Sequence, residues 1–141
     1  MEQNLGAFYR IALEKSSDAE VTNLLNKLSL IEEKHKQYLL ELYNEIDPFP
    51  VDKQALEAEI STMLMEGGFK ISEFLAKNEK YLNNTSSLLD LSMMLEAQAL
   101  DLYLRFAQKM ENEQTKSILH KIGNEEKAHL ESLGKLREKA I

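Results

Sequence analysis

Apolar residues return every three or four positions in runs such as "LSLIEEKHKQYL" (residues 28–39) and "IGNEEKAHLESL" (122–133), the spacing of a helix that turns one face to a core. The punctuation of these runs divides the chain. A first helix is predicted over about 2–15, stopping at "SSD". Ser17 with Glu20 three residues later reads as a capping box for a second helix, which runs to about 46, where Asp47-Pro48-Phe49-Pro50 ends it. Such a helix, close to 29 residues, is roughly 43 Å long at 1.5 Å per residue. Residues 51–85 read as a connection: a short helical stretch from about Asp52 to Met65, a break at Gly67-Gly68, and a second short piece around "ISEFLAKN". "NNTSS" then caps a third long helix, about 87–110, and Asn112 starts a fourth that runs to about 139.

Composition supports helices throughout. Only two prolines and five glycines occur in 141 residues, and the prevailing Ala, Leu, Glu, Lys, Gln and Met lose least on entering a helix. The expectation is an all-α chain forming one domain over 1–141, with a hairpin at 2–46, a crossover at 47–86 and a second hairpin at 87–140. Two long hairpins joined by an extended crossover make the layout of a ferritin-like four-helix bundle. The formal charge is −7, with acids and bases interleaved. No basic stripe with aromatics is present, so a nucleic-acid surface is not expected. Cysteine is absent, which removes disulfides, thiolate metal sites and a cysteine nucleophile together. No apolar run reaches the ~18–20 residues that cross a bilayer, and "MEQNLGAFYR" lacks the order of a signal peptide. A soluble, cytoplasmic protein with no membrane partner is expected.

One internal repeat changes this picture. Sliding the chain by 94 residues pairs Glu2 with Glu96, Tyr9 with Tyr103, Leu25 with Leu119, Glu32 with Glu126, His35 with His129 and Leu39 with Leu133. The hairpins are therefore copies, and in each the histidine follows the first-helix glutamate by 33 residues. Residues three apart on a helix differ by about 300° and ~4.5 Å of rise, so the Glu and His of Glu-x-x-His share a face and can hold one ion. In an antiparallel hairpin the neighbouring helix delivers its own glutamate at the same height. Two such hairpins face to face give four carboxylates and two imidazoles, the ligand set of di-iron carboxylate bundles. Without counter-ions these acids would repel one another and suffer heavy desolvation. Two divalent cations neutralise them. Imidazole with carboxylate oxygen suits Fe(II), Mn(II) or Zn(II), and two iron ions are the first choice because bridging carboxylates with open positions suit O₂ or peroxide chemistry. The expected metal ligands are Glu2, Glu32, His35, Glu96, Glu126 and His129.

At these six residues the chain resembles the rubrerythrin-like branch of the ferritin-like superfamily. The resemblance rests on "EQNLGAFY", "EEKH", "EAQALDLY" and "EEKAH", covers nearly the whole chain and is weakest in the crossover. It implies a non-haem di-iron oxidoreductase acting on peroxide, O₂ or ferrous iron, in oxidative-stress defence or iron handling. "EEKHKQYLLELY" and "MMLEAQALDLYLRFA" are also similar to the ferritin-like domain that follows a rhodanese domain in some bacterial fusions. There are departures from the family pattern. The cysteine-rich rubredoxin module is missing, which calls for a separate electron-donor protein. Met93 stands one turn before Glu96, where rubrerythrins carry an additional glutamate, and Glu2 lies at the very start of the chain.

The remaining candidates are weighed by position. Tyr9 and Tyr103 each follow a ligand glutamate by seven residues, so they share its face two turns away and are expected to pack and to hydrogen-bond a ligand carboxylate. His120 lies nine residues before His129, half a turn out of phase, and is expected to face solvent. Met63, Met65, Met93 and Met94 read as core filler. Besides the di-iron oxidoreductase, two readings stay open: a ferroxidase or iron-binding protein, and a non-catalytic interaction bundle that keeps metal for folding. A homodimer, antiparallel or by helix exchange, would be ordinary for such bundles.

Overall fold

The computed structural model describes residues 2–46 and 70–140, with the side chains of Glu2, Gln3, Tyr43 and Ile46 outside that description. Among the described residues there are five helices and no strand: α1 (Glu2–Lys15), α2 (Ala19–Ile46), α3 (Ile71–Leu82), α4 (Thr85–Lys109) and α5 (Glu113–Lys139). The all-α expectation holds, and the four long helices fall where the apolar runs put them. The stretch from Asp52 to Met65 and the break at Gly67-Gly68 lie outside the described residues. No helix among the described residues is long and apolar enough to cross a membrane.

Caps set the helix starts. Asn84 Oδ1 accepts from the Ser87 N–H at 3.0 Å, and Asn112 Oδ1 accepts from the Thr115 N–H at 2.9 Å, each satisfying a donor that the first turn leaves open. The start of α2 differs from expectation. Asp18 is the cap, its Oδ1 accepting from the Val21 N–H at 3.0 Å, while the Asp18 N–H itself lies 3.4 Å from Ser16 Oγ. Asp competes well with Ser at this position, and Asp18 sits one residue closer to the first buried side chain, Val21.

The chain falls into two compact units, the first Met1–Glu14 with Leu25–Glu79, the second Lys15–Leu24 with Lys80–Ile141. In the first, Leu5, Phe8, Tyr9 and Ala12 of α1 are fully buried, a stripe at i, i+3, i+4 and i+7. α3 rests on this stripe through Phe74, whose ring meets Phe8 edge-on with centroids 6.3 Å apart. A Cβ at Gly6 would stand 3.9 Å from the Glu32 Cβ, so α1 passes close to α2 at that glutamate.

In the second unit α4 and α5 run antiparallel. Ser86 Oγ donates to the Ala140 carbonyl at 2.9 Å, Arg137 Nε and Nη2 donate to Asp90 at 2.7 and 3.2 Å, and a Cβ at Gly123 would meet Tyr103 at 3.9 Å and Leu100 and Leu104 at 3.7 Å. These contacts pair residues whose numbers rise on one helix as they fall on the other, as a three-residue connection at 110–112 requires. The Asp90 carboxylate raises the Arg137 guanidinium pKa through their hydrogen bond, against a smaller lowering by burial.

Burial follows the 94-residue repeat beyond the six pairs that defined it. Val21 and Thr115 are 3% and 4% exposed, and Leu28 and Ile122 are both 1% exposed. The two copies of the repeat therefore bury matching helix faces, although one position holds valine in the first copy and a hydroxyl in the second.

Candidate metal centre

In the second unit, α4 carries Glu96 within a stripe that is otherwise apolar or small: Leu88, Ser92, Leu95, Ala99, Tyr103 and Ala107 are buried with it. A carboxylate on such a stripe is drawn into the core by its neighbours, and its residue is 0% exposed. α5 supplies Glu126, also 0% exposed, and His129, 5% exposed. The three converge. His129 Nδ1 stands 3.3 Å from Glu96 Oε2 and 3.2 Å from Glu126 Oε2, and one ligand atom from each of the three lies within 4.8 Å of the others.

In the first unit, α2 carries Glu32 and His35, both 0% exposed, with His35 Nδ1 3.3 Å from Glu32 Oε2. In both copies of Glu-x-x-His, then, it is Nδ1 that meets the carboxylate three residues earlier. Neighbouring side chains on these helices go the other way: Glu33 is exposed and pairs with Lys36 at 2.9 Å near the surface.

This donor set fits a divalent first-row metal. Two donors that each stand about 2.1 Å from a shared ion are roughly 3.0–3.4 Å apart at octahedral or tetrahedral angles, the range of the contacts made by His129 Nδ1. Charge agrees as well: two carboxylates and a neutral imidazole balance one divalent ion, whereas ionised carboxylates taken out of water without a counter-charge cost several kcal/mol each. Nitrogen with carboxylate oxygen, and no sulfur, excludes a soft-metal preference.

Of the six expected ligands, Glu96, Glu126 and His129 are brought together in the second unit, and Glu32 and His35 in the first. Glu2 opens α1, and its side chain lies outside the described residues. Tyr9 and Tyr103 are buried, at 0% and 4% exposure; Tyr103 lies against Gly123, one turn before Glu126. His120 is exposed, as its phase on α5 requires. The methionine expectation needs correction. Met94 is 40% exposed and Met93 only partly buried, because the buried stripe of α4 runs through Ser92 and Leu95 on either side of them. Met63 and Met65 lie outside the described residues. Thr115, which the sequence did not single out, has a buried hydroxyl oxygen with no hydrogen-bond partner among the described residues; its pairing with Val21 in the repeat was the available signal.

Comparison with known proteins gives one result. A family model described as Rubrerythrin matches residues 1–137. No curated protein and no solved structure matches the chain.

Proposed function

The chain belongs to the rubrerythrin family, with the all-α ferritin-like fold, and from that premise we propose that it is a non-haem di-iron oxidoreductase that reduces peroxide or O₂ with electrons from a separate donor. The observation that carries this reading is the buried convergence of Glu96, Glu126 and His129 on a common point. In it, Glu32 and His35, with Glu2, act as the equivalent ligands of the first hairpin, and the chain holds two ions.

When bound, a pair of ferrous ions supplies the two electrons that convert hydrogen peroxide and two protons into two waters. What the chain itself contributes is placement and exclusion. Each Glu-x-x-His pair fixes one carboxylate and one imidazole on a single helix turn, so little reorganisation is needed when the charge of the centre changes. Near-complete burial keeps bulk water away from the ligand atoms, which strengthens their hold on a cation. Tyr9 and Tyr103, buried on the ligand faces, are suited to hydrogen-bond the carboxylates and restrict their swing. Electrons come from outside these 141 residues, which include no cysteine for a thiolate-bound relay. Met93 stands where the family carries a further glutamate, so the carboxylates available for the reaction are those of the ligand set itself.

Metal analysis together with a peroxide titration tests this function. Protein prepared with iron present is expected to hold two irons per chain, and its reduced form to change absorption when peroxide is added. A chain that takes up no iron, or that takes it up and shows no spectral response to peroxide or O₂, removes the reading.

A further inference from the structure

We propose that Met93 is an oxygen-accepting site beside the metal centre, converted to its sulfoxide by peroxide that reaches the centre and is not reduced there; this rests on the reading of the centre given above. Met93 precedes Glu96 by three residues on α4, which puts the two side chains within about 60° of each other and roughly 4.5 Å apart along the axis. Its methyl group extends towards α5, 3.8 Å from where a Cβ on Gly134 would stand. Gly134 has no side chain there, so the methyl group approaches α5 at a glycine. Met93 is only partly buried, so part of the residue is within reach of a small polar oxidant from solvent.

Its neighbours serve as internal controls. Met94 lies about 200° from Glu96 around the helix and is 40% exposed, so it is the more accessible thioether on the wrong face. Met110 closes the C-terminal end of α4, fourteen residues and roughly 21 Å from Glu96. Accessibility alone ranks Met94 ahead of Met93, and proximity to the centre ranks Met93 ahead of both. The step is a two-electron oxygen transfer: a sulfur lone pair attacks one peroxide oxygen, the S–O bond forms as the O–O bond breaks, and the second oxygen leaves as water after taking the proton of the first. Sulfur is oxidised and peroxide reduced, and no other reactant is consumed.

Peptide mapping by mass spectrometry separates the rankings. The full chain, once metal-free and once iron-loaded with its iron content measured, is exposed to a short peroxide pulse and the oxygen added at Met93, Met94 and Met110 is followed, the adjacent Met93 and Met94 being resolved by fragmenting the peptide that carries both. The expected result is a reversal of order, Met94 first in the metal-free sample and Met93 first in the iron-loaded one. The same order in both samples, with iron bound, overturns the role of Met93 and leaves the metal centre standing. A sample that binds no iron overturns both.

Discussion

At Glu126 the demands of a metal centre and of a core built for stability predict opposite responses from one side chain. Its residue is 0% exposed and its carboxylate faces His129 at 3.2 Å. Replacing it by glutamine keeps the shape and removes a negative charge. In the metal-free protein Glu126→Gln is expected to leave the melting temperature unchanged or raise it, since a buried charge is lost, while metal affinity falls by at least about tenfold. Thermal melts and metal titrations on the same variant read the two effects separately, and a fall in both would mean that the carboxylate serves folding first. Thr115 gives the opposite case. Its buried hydroxyl has no hydrogen-bond partner among the described residues, and its repeat counterpart is Val21. Thr115→Val keeps the volume and is expected to stabilise by about 1 kcal/mol, seen as a raised denaturation midpoint; an unchanged or lowered midpoint would show that the hydroxyl is hydrogen-bonded in the folded protein.

Helix by helix, the sequence was legible where a periodic run met a strong stop and less so where two capping residues stood side by side. "SSD" announced the start of α2, yet Asp18 and not Ser17 takes the Val21 N–H. The choice depends on which side chain is one turn ahead of the first buried residue, a packing fact that local pattern does not contain. Asp18→Ala is accordingly expected to lower stability by about 1 kcal/mol and Ser17→Ala by much less, measured by chemical denaturation. The buried Glu-x-x-His pairs were legible because i, i+3 geometry is local, and their duplication removed the coincidence. Which imidazole nitrogen faces the carboxylates was not, since it depends on rotamers set by neighbouring helices. The exposure of Met94 was hidden for a similar reason: α4 is apolar on more than one side, and periodicity alone does not say which side is covered. Gly123 is a further feature that depends on packing between helices and not on local pattern. A Cβ there would meet its neighbours at 3.7–3.9 Å, ordinary contact, so Gly123→Ala is expected to gain up to about 1 kcal/mol from helix propensity; a loss in the melt would mean that Tyr103 needs the closer approach.

For the whole chain, the repeat makes stability and metal content one question. Both units bury acids on corresponding helix faces, Glu32 in the first and Glu96 and Glu126 in the second, and the formal charge is already −7. An ion that binds the folded state and not the unfolded one stabilises it by about 2.7 kcal/mol when free metal is a hundred times its dissociation constant. In a chain of this length that corresponds to a melting temperature higher by roughly 10 °C. Chelation should therefore lower the melting temperature of iron-loaded protein by that order, and restoring ferrous iron should recover it. The rise should also scale with the logarithm of free metal, since mass action and not a fixed structural change produces it. Glu126→Gln closes the argument, because its response to added metal should shrink even where its metal-free melt matches or exceeds that of the original chain. A protein that melts at one temperature with and without metal would mean that its buried carboxylates are balanced from within the fold, and the convergence at His129 would then be a feature of packing.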